Sequence, residues 1–347
     1  MNPVRPLVTI CIPTYNGAAT LAETLDGIVA QAFDGLEVIV CDDASADDTP
    51  ALAARYAERF AFVRLFRNDR NLGMDRNFAR SVQHATGTYV WFSGQDDIFR
   101  PGAIAKFRSI VADHPDVDVV YFNYRRMSGD LSREVDPPRL DLRDDEFVAS
   151  ASEYFLAVDH APTFLAATVM RRAFWDTTPY ERFLDTHYVQ MGVVLHNLRE
   201  ARVYVVADPR YVDCRIPEDS WKLQGAQMLF ETYSGTFEVY HTIFHSDHNP
   251  VPPDLFRQMQ RQFIRRLPTH AVILRARGFR VTPVIARRMR KLFGERPFLY
   301  WTYVWPLLHM PKWLAAAAHG LHQSALTAWI PSRLRKLISW IGSRGLA

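Results

Sequence analysis

Five short runs rich in Val, Ile, Phe and Tyr mark the first part of the chain: Leu7 to Ile12, Glu37 to Cys41, Phe62 to Phe66, Tyr89 to Ser93 and Val117 to Asn123. Each is bounded by turn-forming residues, and each predicts a β-strand. Between them, Ala19 to Ala30, Thr49 to Arg59, Asp75 to Ala85 and Pro101 to His114 carry apolar residues at helical spacing. These predict helices, the last opening on a proline whose missing N–H costs nothing in a first turn. Strand and helix alternating in this way require right-handed crossovers and a mainly parallel, Rossmann-like α/β sheet flanked by helices. Such sheets bind ligands at the carboxyl ends of their strands, so the residues just after each strand are where chemistry is expected.

Beyond the fifth strand the pattern changes. Arg125 to Asp145 is charged and proline-containing and predicts a mobile loop or insertion. Ser150 to Arg215 adds a helix followed by a strand at Val203 to Val206, Trp221 to His245 predicts one long helix, and Leu255 to Phe293 predicts two or three short helices broken near Pro268, Gly278 and Pro283.

Composition excludes some classes and raises one question. With 347 residues, 48% hydrophobic, 23% charged, 16 Gly and 21 Pro, the chain has enough core for a large globular unit and is neither disordered nor collagen-like. Cys11, Cys41 and Cys214 lie far apart, which fits a reducing compartment and no disulfide or zinc framework, and Met1 to Pro6 does not read as a signal peptide. The net charge of +3 conceals a segregation. From Leu255 onward there are 17 Lys and Arg against one acid, Glu295, leaving 24 basic and 37 acidic residues ahead of it. An acidic body with a basic tail points to a polyanionic partner, either nucleic acid or an anionic membrane surface.

Three predicted strands end in polar turns: Pro13-Thr14-Tyr15-Asn16-Gly17, Asp42-Asp43-Ala44-Ser45 and Gly94-Gln95-Asp96-Asp97. A Tyr or Thr can pack on and hydrogen-bond a base, Asp42 can accept from an imide N–H, and an aspartate at the fourth strand end can hold a divalent cation bridging two phosphates. One such cluster alone reads as turn geometry. Three in register favour a binding edge.

These turns, with Ala46-Asp47-Asp48-Thr49, Asn71-Leu72-Gly73, Arg76-Asn77 and Gly87-Thr88-Tyr89-Val90 in this order and spacing, resemble inverting glycosyltransferase family 2 with the GT-A fold. The resemblance runs from about Val8 to Val111. The stretches Gly73-Met74-Asp75-Arg76-Asn77 and Trp91-Phe92-Ser93-Gly94-Gln95-Asp96-Asp97 are similar to its abequosyltransferase-type branch, which builds bacterial surface polysaccharides. The resemblance implies a nucleotide-diphosphate sugar at the strand ends. The base would lie near Pro13, Thr14, Tyr15, Asn16 and Asp42, and the nucleotide beside Asn71, Gly73 and Arg76. Asp96, with Asp97 next to it, would hold a Mg²⁺ or Mn²⁺ that neutralises the departing diphosphate. One departure is visible: the first acid of the usual Asp-x-Asp-Asp pattern aligns with Gly94, so its contact is absent or falls to Gln95 or Asp97.

Inversion also needs a general base at the acceptor hydroxyl. The family's usual Glu-Asp pair before a helix is missing from Leu184-Asp185-Thr186-His187-Tyr188-Val189-Gln190, and counting back from Val206 puts the expected base near Val189 or Gln190. Asp185 is then a base or a helix N-cap, and His187 a base or a structural histidine. Asp219, in Glu218-Asp219-Ser220-Trp221, is a third candidate with the same N-cap alternative, and His160 could line the acceptor side.

The tail carries tryptophans at 301, 305, 313, 329 and 340, set in apolar runs that suit a headgroup boundary better than a wet phosphate backbone. Ile330, Leu334, Leu337, Ile338 and Ile341 share one helical face, as in an interfacial helix, while Trp313 to Ile330 is too weakly apolar to read as a span. A helical cap on the catalytic domain or a dimer interface is the alternative. The expected organisation is therefore a catalytic domain over 1–215 (nucleotide half about 1–123, acceptor half about 150–215), a helical extension over 216–294 and a membrane-associating tail over 295–347. The expected activity is sugar transfer to a membrane-borne, lipid-linked saccharide, from a peripheral position on the cytoplasmic face of the inner membrane and without nucleic acid. A non-catalytic nucleotide-sugar-binding scaffold is the rival, and oligomeric state is open.

Overall fold

The computed structural model describes residues 5–138, 140–158, 163–216, 225–276, 278, 281–294 and 297–323. The predicted alternation is present: β1 (Val8–Thr14), α1 (Leu21–Val29), β2 (Leu36–Asp42), α2 (Thr49–Arg59), β3 (Val63–Arg67), α3 (Met74–His84), β4 (Tyr89–Phe92), β5 (Ile98–Phe99), α4 (Ala103–Asp113) and β6 (Val119–Phe122). Every residue of β2 is buried, as are six of the seven in β1, which is why these strands read as apolar runs rather than as alternating patterns. α4 differs slightly from expectation. It starts at Ala103 behind Gly102, whose φ of 90° suits glycine, so Pro101 lies in the preceding turn instead of the first helical turn.

The chain continues through β7 (Arg125–Ser128), β8 (Glu134–Asp136), β9 (Glu146–Val148), α5 (Ala151–Ala157), β10 (Thr168–Arg171), α6 (Arg172–Thr177), α7 (Val189–Asn197), β11 (Val203–Val206) and β12 (Val212–Ile216). The main sheet has the order β3-β2-β1-β4-β10-β6-β11-β9. Its pairings are parallel except that β10 runs antiparallel between β4 and β6, and β9 antiparallel at the edge. From β1 the chain winds outward to β2 and β3, then returns to place β4 on the other side of β1. That reversal opens a crevice at the carboxyl ends of β1 and β4.

The segment expected to be a mobile loop or an insertion, Arg125 to Asp145, is an ordered insertion that contributes β7 and β8 to a second sheet of order β5-β12-β7-β8. Two of its arginines are held in ion pairs. The fully buried Asp213 carboxylate of β12 accepts from Arg100 Nε at 2.5 Å and from Arg125 Nε and Nη2 at 2.7 and 3.0 Å, and Arg126 pairs with Asp136 across β7 and β8. A hydropathy pattern cannot distinguish such pairs from a wet loop.

The structure divides into two compact units, Met1–Glu218 with Val239–Pro252, and Asp219–Glu238 with Pro253–Ala347. The second is helical: α8 (Gly225–Phe244) in its first part, α9 (Pro253–Ala276), α10 (Pro283–Leu292), a helical run over 297–309, and α11 (Lys312–Gln323). Pro268 does not break α9, which buries Phe263, Ile264 and Leu267 before it and Ala271 and Leu274 after it. Packing on both sides outweighs the one hydrogen bond that the proline lacks. The breaks at Gly278 and Pro283 are present, the latter capped by the Thr282 hydroxyl, which accepts from Ile285 N–H at 3.2 Å. α11 lies along α9, Tyr303 Oη donates to Ile264 O at 3.4 Å, and Arg275 Nε donates to Met310 O at 2.8 Å. Residues 297–323 thus form a docked helical layer. No helix among the described residues is long and apolar enough to cross a membrane, and the interfacial face expected over 330–341 lies outside those residues.

Candidate active site

The crevice between β1 and β4 is closed by one side chain. Gln95 Oε1 accepts from Thr14 Oγ1 at 2.5 Å and from Tyr15 N–H at 2.8 Å, and its Nε2 donates to Tyr15 O at 3.3 Å. A Cβ on buried Gly17 would strike this amide and Thr14, so glycine there is a condition of the junction. Tyr15 leaves its ring 47% exposed at this edge, free to stack on a planar group. Pro13 and Thr14 pair in register with Cys41 and Asp42, and Asn16 ties the two turns together, its N–H donating to Ser45 Oγ and its Oδ1 accepting from Ala46 N–H, both at 2.9 Å.

The two aspartates at the end of β2 hold the surrounding loops. Asp42 is fully buried; its oxygens accept from the Ser45 hydroxyl, from Ser45 N–H at 3.3 Å and from Arg67 Nε at 3.2 Å. Asp43, which the sequence reading passed over, accepts from Asn68 Nδ2 and Leu72 N–H at 2.8 Å and from Gly73 N–H at 2.9 Å. It therefore fixes the Asn71-Leu72-Gly73 loop against β2, with Gly73 at φ 86° and Asn71 exposed. An acid next to the predicted strand end was the available signal.

Asp96 and Asp97 follow β4. Asp97 is buried and accepts from Gly94 N–H at 2.7 Å; Arg215 Nε donates to Asp96 O at 3.4 Å. Burial pushes both carboxyls above their ordinary range, Asp97 well above it because the Asp96 charge adds to the desolvation. A Cβ at Gly94 would lie 2.8 Å from Asp97 Oδ2 and 3.0 Å from Asp96 Oδ1, so the departure noted at Gly94 is what lets the two carboxyls crowd together. Two adjacent hard-oxygen ligands that resist ionisation together suit a divalent cation, and Mg²⁺ sites commonly use one or two carboxylates with the substrate phosphates as remaining ligands. Among the described residues no group of three or more His, Cys, Asp or Glu side chains is placed to hold a metal ion.

The third wall is the loop before α7. Arg76, in the first turn of α3, forms an ion pair with Asp185, including Nη2 to Oδ2 at 3.2 Å, and the pair raises the guanidinium pKa further. Asp185 is not the N-cap of α7. That position belongs to Tyr188, which makes no side-chain cap bond. Val189 and Gln190, where counting placed the base, are a buried aliphatic residue and a 2%-exposed amide whose Oε1 and Nε2 have no partner among the described residues. A neighbour missed by the sequence reading, Asp75, accepts from His187 N–H at 2.9 Å and Val189 N–H at 3.3 Å. His160 and the whole of Glu218-Asp219-Ser220-Trp221 lie outside the described residues. Of the five described non-glycine residues with positive φ, four lie in these turns: Asn16 at 50°, Ala44 at 58°, Asp185 at 65° and His187 at 70°. Backbone held in such states clusters at functional sites.

α7 depends on close approach to the segment before it. A Cβ on Gly192 would collide with the Phe183 ring, so Gly192→Ala is expected to destabilise the fold by about 1–3 kcal/mol in denaturant titration, with lost activity as α7 shifts.

An exposed tyrosine, a buried Asp97 and a half-buried Asp96 at the switch point of a mainly parallel sheet fit a GT-A type glycosyltransferase. Residues 9–167 match the profile described as Glycosyl transferase family 2, and the chain carries a glycosyltransferase domain of that family. It is 28% identical over 235 residues to abequosyltransferase RfbV of Salmonella typhimurium, covering 63% of this chain and 69% of the relative. Among solved structures, S. aureus TarS 1-349 in complex with UDP-GlcNAc superposes with a TM-score of 0.55 at 16% identity over 84% of this chain and 92% of that one. Mannosyltransferase PcManGT from Pyrobaculum calidifontis, in complex with GDP-Man and Mn²⁺, superposes with a TM-score of 0.51 at 21% identity over 92% and 88%. At these identities the structural likenesses establish the fold.

Proposed function

We propose that the protein moves a sugar from a nucleoside-diphosphate donor to a membrane-borne, lipid-linked saccharide in surface-polysaccharide synthesis, with inversion. The observation that carries this reading is the junction of Tyr15 and Gln95 beside Asp96 and Asp97 at the ends of β1 and β4, together with a loop bearing Asp185 and His187 that is ion-paired to Arg76. The base stacks on Tyr15, and the Asn71 to Gly73 loop lies beside the nucleotide. Asp42 accepts from the base only where Ser45 or Arg67 gives up its bond, so Asp42→Ala is expected to weaken nucleotide binding partly by loosening the β2 turn. Asp96 and Asp97 would hold a Mg²⁺ or Mn²⁺, which would neutralise charge on the departing diphosphate. The acceptor hydroxyl oxygen attacks the anomeric carbon as its proton passes to Asp185. The bond from that carbon to the diphosphate oxygen breaks, and its electron pair leaves with the nucleoside diphosphate. Arg76 neutralises Asp185 before the donor arrives; a diphosphate competing for that guanidinium frees the carboxylate to act as base. The name and function of the Salmonella relative support a surface-glycan acceptor. The direct test is release of nucleoside diphosphate from a panel of UDP-, GDP-, CDP- and dTDP-sugars, with and without lipid-linked acceptor; binding with no turnover of any donor would instead identify a scaffold.

The membrane part of the reading rests on exposed rings. Phe298 is 80% exposed, Trp301 61%, Trp313 72%, and Trp305 also lies open. Exposed aromatics near Arg and Lys suit a headgroup boundary. Because residues 297–323 pack on α9, deleting them would strip a structural layer, and point variants are the cleaner probe. Trp301→Ala with Trp313→Ala is expected to reduce recovery on anionic phospholipid vesicles by roughly tenfold or more while leaving the thermal midpoint in place. Unchanged vesicle recovery would make this face a cap or a protein interface.

A further inference from the structure

The feature of the site that the reaction scheme does not use is Asp75. It is 4% exposed, and burying a carboxylate is costly unless something is gained by its charge. Nothing in α3 requires it: Gly73 caps the helix, and a solvent-facing acid in the first turn would serve the helix dipole as well. Its partners come from a segment more than a hundred residues further along. His187 N–H donates to Oδ2 at 2.9 Å and Val189 N–H to Oδ1 at 3.3 Å, so one carboxylate binds the backbone on both sides of the α7 N-cap, Tyr188, which makes no side-chain cap bond. Between and beside these anchors stand Asp185 and His187, both with positive φ, a conformation that non-glycine residues keep only when neighbouring bonds enforce it. Thr186 completes the clamp, its hydroxyl donating to Phe183 O at 2.6 Å and accepting from Tyr188 N–H at 3.1 Å.

We infer that Asp75 is a positioning residue for acceptor activation: its carboxylate holds the 185–189 backbone in the strained shape that presents the general base, and only its ionised form can do so. The inference rests on the reading that this loop supplies the base. Burial pushes the Asp75 carboxyl up to about 6; the backbone N–H groups of His187, Val189 and Thr186 pull it down, and the Asp185 charge pushes it up. The charged and titratable groups around it are Asp185 and His187 on the loop and Arg76 beside it on α3. Below about pH 6 one oxygen becomes a hydroxyl, a much weaker acceptor whose own proton must be accommodated beside the backbone N–H groups, so the loop loosens and turnover falls. Stability moves the other way. The native carboxyl binds its proton more readily than the unfolded one, so folding is favoured as pH falls from about 6 toward the ordinary carboxylate range. Opposite trends of activity and stability in one pH window are the signature.

The test uses the full chain and the donor sugar that the wild type turns over in the panel above. Asp75→Asn is expected to leave affinity for the matching nucleoside diphosphate within about twofold. It should lower kcat about 10- to 100-fold at pH 7.5, the scale of a misplaced reacting group. The ratio of wild-type to variant kcat should shrink toward one at pH 5, because the wild type is then protonated too. In the wild type, hydrogen exchange of the 185–190 amides, corrected for intrinsic rate, should speed up below pH 6, a measurement that needs no variant to fold. The inference is overturned by wild-type kcat in Asp75→Asn at pH 7.5, by a ratio that does not change with pH, by exchange that ignores pH 6, or by His187→Gln alone abolishing the acid limb. If Asp185→Asn turns over normally, the reading of the loop as base fails and this inference falls with it. If Asp185→Asn is inactive and Asp75→Asn is not, only this inference fails.

Discussion

Asp96→Asn is expected to cut sugar transfer by orders of magnitude with no loss of thermal stability. Asp96 and Asp97 stand side by side with their carboxyls driven upward by burial and, for Asp97, by each other's charge. Replacing one carboxylate by an isosteric amide relieves that repulsion, so the fold gains nothing from the native residue. The amide is, however, a poor ligand for a hard cation, and charge developing on a departing diphosphate is worth several kcal/mol to stabilise. The measurements are transfer under Mn²⁺ and Mg²⁺ titration, and the melting curve. Near-normal transfer by the variant, or full wild-type activity in excess chelator, would sink the metal role. Gly94→Ala is a companion with a different signature. Its Cβ would press on Asp97 Oδ2 and Asp96 Oδ1, so it should cost both activity and stability.

The nucleotide half was legible because local pattern and tertiary arrangement agree there. β1, β2 and β4 are buried strands whose apolar runs have no competing reading, and parallel topology alone brings their terminal turns to one edge. What pattern could not show is pairing at long range. Asp213 between Arg100 and Arg125 turns a charged loop into a sheet, and α9 runs through Pro268 because its apolar face is covered on both sides of it. The same limit hid Asp75. In sequence it is an acid in a first helical turn, the commonest place for one, and only its bonds to His187 and Val189 give it a task. Asp42 stands at a strand end, where an aspartate reads as open to a ligand. The structure adds that its oxygens already accept from Ser45 and Arg67, bonds that its place at a strand end does not reveal. The N-cap alternative for Asp185 failed on geometry, since a residue at φ 65°, three positions before the cap, cannot serve the helix.

That geometry makes Asp185→Asn the most informative substitution for the acceptor side. Asparagine tolerates the left-handed region about as well as aspartate, so the change removes the charge and leaves the turn in place. If Asp185 takes the acceptor proton, transfer should fall about 10²- to 10⁴-fold while donor binding persists. Donor binding should if anything tighten, because Arg76 loses its ion-pair partner and its guanidinium becomes available to the diphosphate. Calorimetry with nucleoside diphosphate and a transfer assay on the same preparation separate the two effects. An exposed pair contributes little to stability, so the melting temperature should hardly move. Selective loss of transfer in His187→Ala or Asp219→Asn, with Asp185→Asn active, would place the base on one of those residues and leave Asp185 as a partner that only restrains Arg76 until the donor arrives.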